Sequence, residues 1–511
     1  MPNNSSPGSK NLPPLTNAEL KILSIALPLA TFMQVIDITI ANVAVPTISG
    51  NLGSSYSQGT WILTSYSVAN AVVLPLTGKL SQKFGEVRLF LWSTALFTLS
   101  SFLCGLAPDL TILVLFRVIQ GAAGGPMLPL AQSLLMNNYP KEKQVMALAL
   151  WTMTVSIAPV CGPVLGGVIS DNLNWSWLFF INIPFGFLII ILVYFTLGDR
   201  ETPKKPAKWS IINFGFLAIG VGSLQMLLDR GKELDWFNSN FILSLLVLSV
   251  MGLTFLILWE RHNPDPLIDL SLFKSRNFSV GASLFSLGMM LYLGTVVLLP
   301  LLLQNWFSYT ATWAGLASAP VGLVPFLSMP LIGRYCSKHN DLRPIISFSF
   351  LIFASCMLMR SSFAPNADLK FVLVPQFIQG FGLAMFFVPV TALTFIGIHP
   401  EKMATAAGIV NCIRGMFGGI GASVITTLWE RREAFHHTRL SSYVDGVNPV
   451  VNEVFQNIQI SGITEDVQFQ YLAREITHQS FVLSASEIYK ASAVAFLIMI
   501  TITWCGKPRS N

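Results

Sequence analysis

The chain has 511 residues, of which 53% are apolar and only 11% charged, against roughly a quarter charged in soluble domains. That balance excludes a soluble fold of this length. The net charge of +6 does not point to nucleic acid, because the basic residues follow membrane topology.

Long apolar runs predict fourteen spans, near 22–44, 59–79, 88–106, 110–135, 145–169, 176–197, 209–229, 239–260, 277–304, 313–334, 343–362, 369–396, 403–428 and 485–505. This is a polytopic all-α membrane protein. The stretch before the first span is rich in Pro, Ser and Asn and reads as a disordered tail. The first span is too long for a cleaved signal peptide and lacks a small-residue cleavage site. An even number of spans puts both termini on one side. That side carries 20 Lys and Arg, the opposite side nine, among them Arg230, Lys232, Arg360, Lys370, Arg431 and Arg432. The bias predicts cytoplasmic termini. The six cysteines and six histidines show no metal-ligand or disulfide spacing; Cys336 is assigned to a short basic loop and His436–His437 to a solvated pair.

An internal repeat divides the body. Val118-Ile119-Gln120-Gly121 in the fourth span returns as Phe377-Ile378-Gln379-Gly380 in the twelfth, 259 residues later. Two similar bundles with a cleft between them are a common transporter plan. The expected division is a cytoplasmic tail 1–21, a first six-helix bundle 22–197, and an inserted helix pair with its flanking loops 198–276. A second six-helix bundle 277–506 follows, with a long outer loop 430–484, and then a short tail 507–511.

Asp37 is a lone acid within the first span, and an ionised acid among hydrocarbon usually binds a proton, an ion or a charged partner. It lies seven residues before the outer end of its span at Ala44, and Arg117 lies seven residues after the outer start of the fourth span at Leu110. At 1.5 Å per residue both sit about 10 Å below the outer surface. A direct or water-bridged pair is therefore possible if the two helices adjoin. A clamp on backbone carbonyls is the other role open to Arg117. Such a pair would be a switch, since burial favours the protonated acid and a guanidinium the ionised one. A proton crossing about 100 mV is worth roughly 2.3 kcal/mol, enough for about a 50-fold solute gradient. The Gly-Lys pairs at Gly78, Gly231 and Gly506 lack the Ser/Thr of a phosphate-binding loop.

Gln120 shares a face with Arg117 and could orient its guanidinium, with Gly121 and Gly124 as close-packing positions. In the fifth span Ala158, Gly162 and Gly166 form a smooth stripe, with Pro159 and Pro163 as expected kinks and Gly167 beside it; a bent, smooth helix suits gating, though packing alone would explain the glycines. Gln34, Asn42, Gln379, Asn411 and Arg414 are candidate cleft residues. Helix–helix hydrogen bonding is the alternative for each except Arg414, which needs water or a partner.

These residues carry a resemblance. Leu29 to Asp37 with Thr39 to Ala44 resembles the first-helix signature of the fourteen-helix drug–proton antiporters (EmrB/QacA) of the major facilitator superfamily. Arg117-Val118-Ile119-Gln120-Gly121 resembles their fourth-helix motif, and the Pro/Gly run at 158–167 their fifth-helix antiporter motif. Asp229 to Trp236 and Asp269 to Phe273 point to the EmrB branch. The resemblance implies a major facilitator fold and multidrug export driven by inward proton flow, with no cofactor beyond the coupling proton. It implies a multi-pass protein of the bacterial inner membrane, working with a periplasmic membrane-fusion adaptor and an outer-membrane channel. Within the loop motif, Gly78, Lys83 and Gly85 fit, but Gln82 stands where the superfamily usually has Asp, which argues against a charge relay there. A proton-coupled uptake symporter could use the same Asp37, and the fifth-span run argues against it. A membrane-embedded enzyme would need a catalytic cluster that the sequence does not show.

Overall fold

Backbone polar groups find no partner in lipid, so apolar runs of this length close on themselves as helices. The computed structural model describes residues 15–204, 210–263, 266–307, 309–363, 368–444 and 465–508. In chain order the helices begin with α1 (Asn17–Asn51), α2 (Tyr56–Gly59), α3 (Trp61–Val73), α4 (Thr77–Phe84) and α5 (Glu86–Gly105). There follow α6 (Leu110–Gly124), α7 (Met127–Asn138), α8 (Gln144–Asn172), α9 (Trp177–Phe180) and α10 (Asn182–Leu197). Next come α11 (Ile211–Arg230), α12 (Asn240–His262), α13 (Arg276–Asn305), α14 (Ala311–Ser318) and α15 (Pro320–Lys338). The last are α16 (Arg343–Arg360), α17 (Leu369–Phe395), α18 (Met403–Ser441) and α19 (Glu465–Trp504).

Among the described residues, 13 helical stretches are long and apolar enough to cross a membrane. The fourteenth crossing is α3 with α4, interrupted by a 3₁₀ turn at Leu74–Leu76. Pro75 in that turn has no N–H to continue an α-helical ladder. The first and last described residues thus lie at one face, the terminal face.

Several boundaries differ from the sequence reading. Thr16 and Glu19 form a reciprocal capping box, so α1 starts at Asn17, inside the segment assigned to the tail. It also continues to Asn51, past Ala44. The segment 430–484 is not one long loop: α18 continues to Ser441 and α19 starts at Glu465, while residues 445–464 fall outside the described set. The two extensions run on side by side because polar side chains tie them. Trp429 Nε1 donates to the Phe481 carbonyl at 2.9 Å, and Arg432 meets Glu487 at 2.7 Å. His436 lies 3.1 Å from the same carboxylate and is buried, not solvated. Cys336 is likewise buried within α15 and not in a loop.

Packing builds two main interiors, one largely within a first group of helices, α1–α10, and one largely within a second, α13–α19. In the first, Leu27, Phe90, Phe97, Leu130, Trp151 and Ile189 are fully enclosed, and Trp151 Nε1 donates to Thr31 Oγ1 at 2.9 Å. In the second, Phe353 packs on Phe386 and Phe496 with ring centroids 6.0 and 5.1 Å apart. Between the groups in sequence, α11 and α12 cross at Gly220 and Gly252, where a Cβ on either glycine would meet the other helix's backbone at 2.8 or 2.7 Å. The far face of α12, with Val247 and Val250, is exposed. α11 also leans on both groups. Gly222 faces Val68 and Val72 of α3, and the Leu228 carbonyl accepts from Ser423 Oγ of α18 at 3.1 Å.

The two groups meet near the terminal face and, through α8 and α15, again at the depth of Asp37, where a Cβ on Gly322 would lie 2.2 Å from Val160 Cγ2. Asn411 Nδ2 donates to Gln132 Oε1 at 2.6 Å, joining α18 to α7. A Cβ on Gly78 would lie 2.0 Å from Thr405 Oγ1, and one on Gly333 would lie 2.5 Å from Ala149 Cβ. These contacts are too close for any larger residue.

Candidate functional site

The site forms where α1, α6 and α10 converge. Asp37 is 2% exposed, and its carboxylate accepts three hydrogen bonds. Arg117 Nη1 reaches Oδ2 at 2.5 Å, while Gln120 Nε2 and Asn182 Nδ2 reach Oδ1 at 3.0 and 2.7 Å. Arg117 and Gln120 lie three residues apart on α6 and so share a face. Gln120 Oε1 in turn accepts from Arg117 Nη1 at 2.8 Å, which fixes both side chains against the acid. Arg117 Nε donates to the Ile62 carbonyl at 3.2 Å. The carbonyl clamp and the carboxylate pair are therefore both present in one guanidinium.

Glycines on α6 let an aromatic ring join the cage. A Cβ on Gly121 would lie 2.3 Å from the Tyr66 carbonyl, and one on Gly124 would lie 2.9 Å from its hydroxyl. The Tyr66 ring then sits 4.2 Å from the Arg117 guanidinium, with Phe179 at 5.7 Å on another side. Asn182 is placed by the break between α9 and α10. Pro184, two residues on, suits the first turn of α10, where an N–H would have no helical partner. Ser101 of α5 holds the other proton of the Asn182 amide at 2.9 Å and donates to the Phe179 carbonyl.

Tyr66, Ser101 and Asn182 are missing from the sequence-derived set. Asn182 and Ser101 carry a usable signal: in their spans they sit six residues after the outer start and five before the outer end. That places them at the depth of Arg117. Tyr66 gives no such signal, since an aromatic in an apolar run reads as core.

The fifth-span stripe faces α1. Ala158 and Gly162 are buried, and a Cβ on Gly162 would lie 1.9 Å from Thr39 Oγ1. One on Gly166 would lie 3.3 Å from the Ile40 carbonyl. Gly167 has nothing within 4 Å and Pro159 is exposed. The helix runs through both proline positions without interruption, and the Pro163 side chain is outside the described set.

The cleft candidates divide. Gln34 is buried and its Nε2 lies beside Gly124, whereas Asn42 is exposed. Asn411 bridges the two halves through Gln132, and Arg414 is half-buried on the same helix. Gln379 does not line a cleft. It is fully buried inside the second group of helices, against Arg360. In the loop motif, Gly85 has φ of 91° and lies against the Glu201 carboxylate, which accepts from the Val87 and Arg88 amides at 3.1 and 2.9 Å. A carboxylate from the segment after α10 thus caps the N-terminus of α5, in addition to Glu86 of its own first turn. Lys83 is exposed, 5.3 Å from the Phe84 ring.

Fourteen crossings around a buried acid–guanidinium cage, with a repeat relating the two groups of helices, define a major-facilitator transporter. The Major Facilitator Superfamily model matches residues 27–422. The chain is 50% identical to the multidrug export protein EmrB of Escherichia coli K12 over 97% of both chains, and 48% identical to EmrB of Haemophilus influenzae over 98% of both. It is 47% identical to the fatty acid resistance protein FarB of Neisseria gonorrhoeae, over 97% of this chain and 98% of that one. Among solved structures, the human organic anion transporter MFSD10 shares the fold with a TM-score of 0.60 at 12% identity, covering 95% of this chain and 99% of that one. The chain belongs to the EmrB family of multidrug export proteins within the major facilitator superfamily.

Proposed function

We propose that this protein is a proton-driven multidrug exporter of the inner membrane, with cytoplasmic termini, passing amphipathic toxic compounds to a periplasmic adaptor and an outer-membrane channel. Export follows from nearly full-length similarity to EmrB proteins. The adaptor and channel follow from that kinship, and the orientation from the excess of Lys and Arg on the terminal side. The second bundle begins at α13, leaving α11 and α12 as the inserted pair.

Proton coupling rests on one observation: Asp37 is buried and held by three donors, one of them the Arg117 guanidinium at 2.5 Å. This is the geometry of the proton-free acid. A proton arriving on Oδ2 competes directly with Arg117 Nη1, so loading the acid frees the guanidinium to fall back on Gln120 Oε1, the Ile62 carbonyl and the Tyr66 ring. Contacts between the halves at Gly78, Gly333 and Asn411 lie on the terminal side of Asp37, and on this reading the state corresponds to closure on the cytoplasmic side. Release of Asp37 from Arg117 alters the seat of α1 on α8, and α8 meets α15 of the other half. Drug binding from the cytoplasm and proton binding from outside would thus favour opposite states, as exchange requires.

The test is transport by purified protein in liposomes with an imposed pH gradient. Drug-dependent proton movement should accompany export and should vanish in Asp37→Asn. Export that ignores the gradient would refute proton coupling, and accumulation in the direction of proton flow would favour symport.

A further inference from the structure

Arg360 ends α16 at the face opposite the termini, and charge counting assigns it to the outer aqueous side. It is nevertheless 1% exposed. An arginine near a span's end ordinarily extends its guanidinium towards the interface. Here α16 runs away from the terminal face, so its Cα–Cβ bonds tilt back into the protein. The guanidinium reaches α17, where Nη2 donates to the side-chain carbonyls of both Gln376 and Gln379.

The remaining donors of this group of side chains have no acceptors. Nε and Nη1 of Arg360 have no hydrogen-bond partner among the described residues, nor do Gln379 Nε2 and the Tyr489 hydroxyl. The Tyr489 ring lies 6.0 Å from the guanidinium. Its charged and titratable neighbours are Tyr489, Cys356 and Tyr292, with no acid among the described residues. Carbonyls in the last turn of α16 carry a partial negative charge and account for part of the cation's stability. They do not engage Nε or Nη1.

The internal repeat shows what differs from the Asp37 cage. At the spacing of 259, Gln120 corresponds to Gln379, Arg117 to Gln376, Ser101 to Arg360 and Asp37 to Val296. The second bundle keeps the glutamine, carries its guanidinium on the neighbouring helix and has an apolar residue in place of the acid. One bundle neutralises its own cation, and the other does not.

We propose that Arg360, Gln379 and Tyr489 form a monovalent-anion site in the second bundle, reached from the face opposite the termini. Its ligand is a chloride-sized ion or the carboxylate head of an amphiphile. Charge-assisted bonds from the free Nε and Nη1 would hold it, with Gln379 Nε2 and the Tyr489 hydroxyl completing the shell. The site does not depend on Asp37.

The experiment is thermal unfolding of the purified full-length protein at constant ionic strength, balanced with a bulky sulfonate buffer. Chloride, acetate or decanoate is titrated, with decanol as the uncharged control. A saturable rise in Tm with chloride or acetate assigns a free small anion. A rise with decanoate but with neither acetate nor decanol assigns an amphiphile head. In both cases Arg360→Gln should weaken the apparent affinity at least roughly 30-fold, Tyr489→Phe should weaken it less, and Asp37→Asn should leave it intact. No saturable shift with any anion, or an unchanged response in Arg360→Gln, overturns the site. Should Arg360→Gln fail to fold, Tyr489→Phe and Gln379→Leu decide the matter, since both keep the buried cation; an unchanged response in both overturns it.

Discussion

Replacing Asp37 by Asn keeps the side chain's size but turns one of its two acceptor oxygens into a donor. In the native cage Oδ2 takes Arg117 at 2.5 Å, and Oδ1 takes Gln120 and Asn182 at 3.0 and 2.7 Å. Whichever way the new amide turns, its NH₂ faces at least one of these donors. Arg117 then keeps only Gln120 Oε1 at 2.8 Å and the Ile62 carbonyl at 3.2 Å, with the Tyr66 ring at 4.2 Å. Breaking a buried ion pair from one side costs about 3–5 kcal/mol. The retained contacts argue for the lower end, about 3 kcal/mol, which a multi-helix membrane protein should survive. We therefore expect folded, membrane-inserted protein with a lowered unfolding temperature and no drug-dependent proton movement in liposomes. Substrate binding should persist. Full proton-driven export by the variant would refute the coupling role. An unchanged unfolding temperature would refute the reading of Asp37 as the counter-charge of Arg117.

Other substitutions probe separate parts of the scheme. Arg117→Lys retains the charge but cannot serve Asp37, Gln120 and Ile62 together or stack on Tyr66, so export should fall at least about ten-fold at equal expression in a resistance assay. Asn182→Ala removes one bond to a charged acceptor, worth about 1.5–3 kcal/mol, and should slow turnover in liposomes without preventing insertion. Gly162→Ala should cost about 1–3 kcal/mol through its clash with Thr39 and impair export, whereas Gly167→Ala, with open space around it, should be neutral; unfolding temperature and efflux distinguish them. Asn411→Leu leaves Gln132 without its partner at 2.6 Å, a loss of about 1–3 kcal/mol from the closed terminal side. Hydrogen exchange in α7 and α18 near that face should accelerate.

Matching depth made Asp37 and Arg117 legible in the sequence, because an acid and a guanidinium at one level have few alternatives in lipid. Ser101 and Asn182 obey the same rule and were within its reach. Tyr66 was not, because only the close approach allowed by Gly121 and Gly124 turns a core-like aromatic into a lid for the guanidinium. Charge counting put Arg360 on the side opposite the termini, where α16 ends, but a count of charges carries no information on burial: the direction of α16 turns the side chain inwards. For Gln379 the sequence left a cleft position and a helix–helix hydrogen bond both open, because its partner lies on a different helix 19 residues earlier; the structure shows the hydrogen bond. The flanks of 430–484 read as loop because polar residues mark the end of a span. They do not mark the end of a helix when partners such as Arg432 and Glu487 accompany it beyond the membrane.

The position of α8 decides how a proton on one helix could be felt by the other half. Thr39 lies two residues beyond Asp37, and its hydroxyl donates at 3.1 Å to the Val35 and Ile36 carbonyls, so it has little freedom to turn aside. Gly162 meets it with no room for a Cβ. On the side of α15, a Cβ on Gly322 would lie 2.2 Å from Val160 Cγ2 and 3.3 Å from the Ser156 carbonyl. α8 is thus held tightly between the helix that carries the acid and a helix of the opposite half. Close-packed interiors transmit displacement because they have no slack to absorb it. A shift of α1 on loss of the Arg117 contact would therefore reach α15 through α8. On the proposed exchange cycle the small-residue stripe at Ala158, Gly162 and Gly166 would transmit the movement, and the surface at Gly78, Gly333 and Asn411 would be the one that opens and closes.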